Sequence, residues 1–251
     1  MLQIQLQRRL CLLPWIILLA LSATGQQEEG KNYQWIIKPN YDRVSDFYDS
    51  YAHVTRIRMT RSGVDFKKGF INREGEEVVP LRYDIIDAFS EGLATAGFID
   101  KANMSSRSGF INTQGEMVIP AIYDVTSPFS EGLALVKLDS LSGYIDRSGK
   151  EVIPRIFEEA NSFSENYAAV KYEGKWGIID HDGNYLIPPK YQYALNFHQG
   201  LACVKINDKW GYIDKTGAFA IPARYDYAGN FRKGTARVEL DGKFGIIRQD
   251  G

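Results

Sequence analysis

From residue 36 onward, short apolar runs alternate with polar turn residues, and the alternation recurs in register. Each run opens on a glycine followed by an aromatic or Ile and then Ile: Gly69-Phe70-Ile71, Gly109-Phe110-Ile111, Gly143-Tyr144-Ile145, Gly177-Ile178-Ile179, Gly211-Tyr212-Ile213 and Gly245-Ile246-Ile247. The glycines are separated by 40, 34, 34, 34 and 34 residues. Behind the first five, at fixed distances, come Pro80, Pro120, Pro154, Pro188 and Pro222, then Tyr83, Tyr123, Phe157, Tyr191 and Tyr225. Phe89, Phe129, Phe163, Phe197 and Phe231 follow, and then Ala94, Ala134, Ala168, Ala202 and Ala236. So many positions in register define one unit of about 34 residues, written again and again.

Within the unit the period is two, which is strand grammar. In Lys175-Trp176-Gly177-Ile178-Ile179, Gly177 and Ile179 share one face, and Trp176 and Ile178 share the other. Asp146-Arg147-Ser148-Gly149 and Asp214-Lys215-Thr216-Gly217 combine an Asp that bonds nearby amides with a Gly that tolerates positive φ, as a hairpin turn requires. A second strand such as Val152-Ile153 is expected to stop at Pro154 or lie on an edge. In a third, Leu201 to Lys205, Ala202 and Val204 are expected inward and Cys203 outward, before a turn at Asn207-Asp208. The fold class is therefore all-β, with about three short strands per 34-residue unit. A unit this small cannot close its own core, so copies must stack. The short repeat favours an open β-solenoid or hairpin stack. A closed six-unit propeller-like ring is the alternative, because the chain begins mid-unit with Ile36-Ile37, Tyr41, Phe47 and Ala52 and finishes on Gly245-Ile246-Ile247.

The unit reads approximately K-W-G-Y-I-D-x-x-G-x-x-V-I-P-x-x-Y-D, then F-x-x-G-L-A-x-V-K. It resembles the WG-repeat (KWG-repeat) family, whose Trp-Gly pair stands here as Trp176-Gly177 and Trp210-Gly211. The resemblance covers residues 36–251, divided into a partial unit 36–68, full units 69–108, 109–142, 143–176, 177–210 and 211–244, and a partial unit 245–251. Lys68, Ser108, Ser142 and Phe244 depart from it at the Trp position, and Asn166 replaces the glycine found at Gly92, Gly132, Gly200 and Gly234. The resemblance implies an all-β repeat protein of a kind commonly exported by bacteria and generally without an assigned activity.

The first residues read as an address. Arg8 and Arg9 precede an apolar run from Leu10 to Ala23, with Ala23-Thr24-Gly25 behind it, the order of a secretory signal peptide. The run is shorter than the ~20 apolar residues of a spanning helix. Cleavage is expected before Gln26, or alternatively after Ala23. That leaves a lead-in at 26–35, a repeat domain at 36–251 and no transmembrane span. The product is expected in the periplasm, at the cell surface or outside the cell. Cys203 then remains without an intramolecular partner, since Cys11 departs with the leader.

Composition narrows the function further. A chain 44% hydrophobic and 24% charged has enough apolar material for a core, and its net charge of −1 gives no global field to hold nucleic acid. The recurring Asp146, Asp180 and Asp214, with Asp84, Asp124 and Asp226, sit at fixed repeat positions where turn hydrogen bonding accounts for them. His53, His181 and His198 fall at different phases, and no nucleotide-binding, zinc-protease or nucleophile motif is present. No catalytic residue, metal or cofactor is assigned.

Two features remain as binding candidates. Trp176 and Trp210 could form a sugar platform if their rings lie exposed in a row. Two insertions, Arg56 to Lys68 and Gly97 to Ser108, share one phase in successive units and concentrate Arg56, Arg58, Arg61, Lys67, Lys68, Lys101 and Arg107 against Asp65. They predict a basic, mobile lobe suited to an anionic partner. The expected function is a non-catalytic, exported, monomeric binding or scaffold module for a protein or envelope component. A cell-wall or glycan-binding module is the alternative, and an enzyme is the less favoured reading.

Overall fold

The computed structural model describes residues 35, 37–61 and 63–249. The proposed leader at 1–25 and nearly all of the lead-in lie outside the described residues. Residues 36–251 form one compact unit. Among the described residues every regular element is a strand, and no helix is long and apolar enough to cross a membrane.

The strands form six small antiparallel sheets, each a simple meander in chain order. The first holds β1 (Arg43–Val44), β2 (Ala52–Thr60), β3 (Gly63–Ile71) and β4 (Glu77–Tyr83), and the second β5 (Ile85–Ile86), β6 (Leu93–Asp100), β7 (Ser105–Asn112) and β8 (Met117–Tyr123). The third holds β9 (Val125–Thr126), β10 (Leu133–Leu138), β11 (Leu141–Asp146) and β12 (Glu151–Phe157), and the fourth β13 (Glu159–Ala160), β14 (Ala168–Tyr172), β15 (Lys175–Ile179) and β16 (Tyr185–Tyr191). The fifth holds β17 (Tyr193–His198), β18 (Leu201–Ile206), β19 (Lys209–Ile213) and β20 (Phe219–Tyr225). The sixth has three described strands, β21 (Tyr227–Ala228), β22 (Thr235–Leu240) and β23 (Lys243–Arg248).

A sheet therefore takes four strands where three were expected, the extra one usually a two-residue strand behind the Tyr-Asp pair. Its boundaries are displaced from those of the sequence repeat, since each of the first five sheets begins just after one such Tyr or Phe and ends at the next. The turns follow from residue type. Asn207 and Asp208 both take positive φ (48° and 61°), the two-residue hairpin geometry that Asn and Asp tolerate. The Asp146 carboxylate accepts the amides of Ser148 (2.9 Å) and Lys150 (3.0 Å), closing the next turn. β12 runs straight through Pro154 instead of stopping there. It is an outer strand paired only with β11, so a missing amide on its far side leaves no donor bond unmade.

Sheets pack face to face. Tyr144, Ile153 and Phe157 of the third sheet meet Ala168, Val170 and Ile179 of the fourth, whose opposite face places Ala169, Trp176 and Ile178 against Ala194, Phe197, Ala202, Val204 and Ile213 of the fifth. Middle strands are thus buried on both sides. Cys203, expected outward, is buried against the sixth sheet.

Phasing also explains the repeated glycine. A Cβ on Gly177 would lie 2.7 Å from the carbonyl oxygen of Ile187 and 2.9 Å from the nitrogen of Pro189; on Gly211 it would lie 2.6 Å from the nitrogen of Ala223. The fourth strand crosses here through a bulge, between the pairs Trp176↔Tyr191 and Ile178↔Ile187, and leaves room only for hydrogen. Gly245 alone among the six has nothing within 4 Å of that position. Among the described residues, no strand of the sixth sheet pairs with the first.

Candidate functional site

Among the described residues the two insertions are paired strands and not irregular loops. β2–β3 pairs from Ala52↔Ile71 to Thr60↔Gly63, and β6–β7 from Leu93↔Asn112 to Asp100↔Ser105. Both are longer than the corresponding hairpins of the later sheets. Asp84 ties them together: one carboxylate oxygen accepts from Lys67 Nζ at 2.6 Å, and the other accepts the amide of Ile99 at 3.0 Å.

Three of the seven expected cations are neutralised at close range. Lys67 pairs with Asp84, Lys101 with Asp65 at 2.8 Å, and Arg107 with Asp124. Arg56 lies over the Tyr41 ring at 5.8 Å. The Lys101 ammonium holds the Asp65 carboxyl below its ordinary pKa. Arg58 and Lys68, by contrast, have no ion-pair partner among the described residues, and neither has Arg61 or Arg43. Between the hairpins lies a cleft of about 490 Å³, lined by Val64, Phe66, Ile99 and Met104 with Arg43, Lys68 and Lys101 among them. Phe66 is 40% exposed and Met104 78%. These apolar residues are the part that charge counting missed. The available signal was the alternation Val64-Asp65-Phe66-Lys67 inside an insertion, where a solvated loop has no need of Val and Phe.

The tryptophans do not form an exposed row. Trp176 is 2% exposed and Trp210 half-buried. With Tyr193 between them, at ring-centroid distances of 4.9 and 5.6 Å, they pack from sheet to sheet, which leaves no pair of open ring faces for a sugar.

The recurring carboxylates act on backbone. Asp42, Asp84, Asp124 and Asp226 accept the amides of Ile57, Ile99, Asp139 and Asp241, and Glu158 and Gln192 perform the same task for Gly174 and Asp208. Asp180 and Asp214 close turns as Asp146 does. Hydrogen bonds from Ser148 and Thr216 lower the Asp146 and Asp214 pKa values.

The histidines stay apart. His53 packs edge-on to Phe70 at 4.3 Å beside a small recess of about 200 Å³, His181 stacks on Phe163 at 4.3 Å, and His198 ends β17. Among the described residues no group of three His, Cys, Asp or Glu is placed to hold a metal ion. Burial pushes the Cys203 thiol up to about 12, so it is not a thiolate nucleophile at neutral pH.

A repeated unit of four strands, with a glycine under the crossing strand and an Asp that latches the following hairpin, matches the WG containing repeat over residues 31–55, 69–96, 109–141, 143–176, 176–210 and 210–244. The chain belongs to the WG-repeat family. No curated protein matches it. Among solved structures it is similar to the crystal structure of the eukaryotic initiation factor, with a TM-score of 0.50 at 12% identity, over 81% of this chain. The match spans 61% of that chain, and at such identity the likeness concerns the fold alone. Within the WG-repeat frame, the two long hairpins are what set this chain's first sheets apart from its later ones.

Proposed function

We propose that this WG-repeat protein is an exported, non-catalytic binding or scaffold module, and that the cleft between the β2–β3 and β6–β7 hairpins is its binding surface. One observation carries the reading: exposed apolar side chains, Val64, Phe66, Ile99 and Met104, line a cleft whose unpaired charges, Arg43 and Lys68, are cationic. Asp65 and Asp84 are already engaged by Lys101 and Lys67, so they do not oppose an incoming anion. The chemistry suits a protein segment that presents an apolar side chain beside a carboxylate, the apolar group supplying desolvation and the charge supplying orientation.

The test is affinity capture from the envelope of the producing cell, comparing the native protein with a Phe66→Asp, Lys68→Glu double variant. The reading expects a captured protein that the variant loses while its thermal unfolding stays native. Capture unchanged by the variant would move the binding surface elsewhere.

A further inference from the structure

The six sheets meet through five like interfaces, and the outer faces of the first and sixth sheets carry the two halves of another. At the interface of the first and second sheets, Ala94, Ala96 and Ile111 receive Val79 and Tyr83 from β4, Phe89 from the connection and Phe70 from β3. On the outer face of the first sheet the same positions recur: Ala52, Val54 and Ile71 receive Ile37, Tyr41 and Phe47. The counterpart of Phe70, a residue from the third strand of a preceding sheet, is the one member missing there among the described residues.

The sixth sheet holds that residue in the open. Ile246 stands at the Phe70 position and is 69% exposed. Phe244 stands at the Trp176 position and is 63% exposed. β23 is an edge, and Gly245 lacks the crossing strand that gives Gly177 and Gly211 their steric reason. Residues 37–42 carry the fourth-strand pattern, with Ile37, Tyr41 and Asp42 at the positions of Ile221, Tyr225 and Asp226. Applying the register Trp210↔Tyr225 and Tyr212↔Ile221 sets Phe244 opposite Tyr41 and Ile246 opposite Ile37. Within one molecule Ile37 and Tyr41 already lie on the first sheet and are not paired with β23.

We propose that the outer face of the sixth sheet is a docking surface for a second copy of this chain, whose residues 37–42 add the fourth strand while its first sheet covers Phe244 and Ile246. Backbone pairing along β23 supplies strand addition, and the apolar pair supplies desolvation. Charge agrees: Arg232 and Lys233 stand where Ser164 and Glu165 reach the next sheet's Phe197 and Gly200, and the docked copy brings Asp46 and Asp49 to that place. The contact is head to tail, so each copy keeps one unused end and association continues into a ring where the rotation closes or an open filament where it does not. This surface is separate from the hairpin cleft, and the proposal replaces the expected monomer with a self-associating chain.

Sedimentation velocity of the purified protein, from micromolar concentration upward, tests the proposal with two variants. Gly245→Val fills the space the added strand must cross, and Ile246→Asp removes the apolar contact; both positions are open in the single copy. The expected result is concentration-dependent association that each variant weakens by more than about tenfold, with unchanged thermal unfolding of the monomer. A native protein that stays monomeric throughout overturns it, as does association indifferent to both variants. Slow amide exchange along β23 in a monomer, with Gly245→Val lowering monomer stability, also overturns it in favour of closure within one chain.

Discussion

The carboxylate of Asp84 accepts the backbone amide of Ile99 at 3.0 Å while its other oxygen holds Lys67, so one side chain fastens two hairpins from different sheets. Asp84→Ala leaves that amide without its acceptor and the ammonium with only the Asp65 carboxylate, 3.9 Å away. The expected cost is about 1–3 kcal/mol in a urea titration, with faster hydrogen exchange at Ile99. Asp84→Asn retains an acceptor and should fall between the two.

Gly177→Ala places a methyl carbon 2.7 Å from the Ile187 carbonyl oxygen, and both sides of that clash are backbone. The bulge must open, which should lower stability by about 1–3 kcal/mol. Gly245→Ala, with open space around it, should change monomer stability by no more than about 0.5 kcal/mol. Parallel thermal melts of the two variants check the contrast.

His53 is held neutral chiefly by burial, with Lys68 acting in the same direction and Asp87 opposing. Its pKa in the folded state lies below 6.5, so between those two values the unfolded chain binds more protons. Stability should therefore fall as pH drops from about 6.5 towards the folded value, and His53→Gln should remove that part of the slope. Denaturation midpoints of both proteins across this range measure the effect.

Cys203 is 1% exposed, and its thiol is pushed up to about 12 by burial. In the chain from Gln26 onward, which lacks Cys11, a thiol-specific reagent at neutral pH should leave the folded protein unmodified and label it once it is unfolded in denaturant. Rapid labelling under native conditions would contradict the packing of the fifth sheet against the sixth.

The 34-residue period was legible in the sequence because the positions that repeat, Gly177, Tyr191, Phe197 and Ala202, are those that packing fixes from sheet to sheet, with Gly245 the exception. Sheet boundaries were harder to read. A two-residue strand such as Ile85–Ile86 has too few positions to show alternation, and β12 crosses a proline that normally ends pairing. The direction of Cys203 was misjudged because alternation marks one buried face, whereas a sheet between two others buries both. At the hairpins, the cations were visible but not their partners: Lys67 finds Asp84 across 17 residues and Lys101 finds Asp65 across 36, separations that composition cannot register.

The side chains of Glu91, Glu131, Glu165 and Gln199 accept the amides of Gly132, Asn166, Gly200 and Gly234 in the sheet that follows. This ladder runs one way along the chain. A sheet emerging during synthesis finds its earlier neighbour complete, but its own forward face stays bare until the next sheet arrives. Folding therefore trails elongation by one sheet, and the nascent chain always carries one unfinished surface at its growing end.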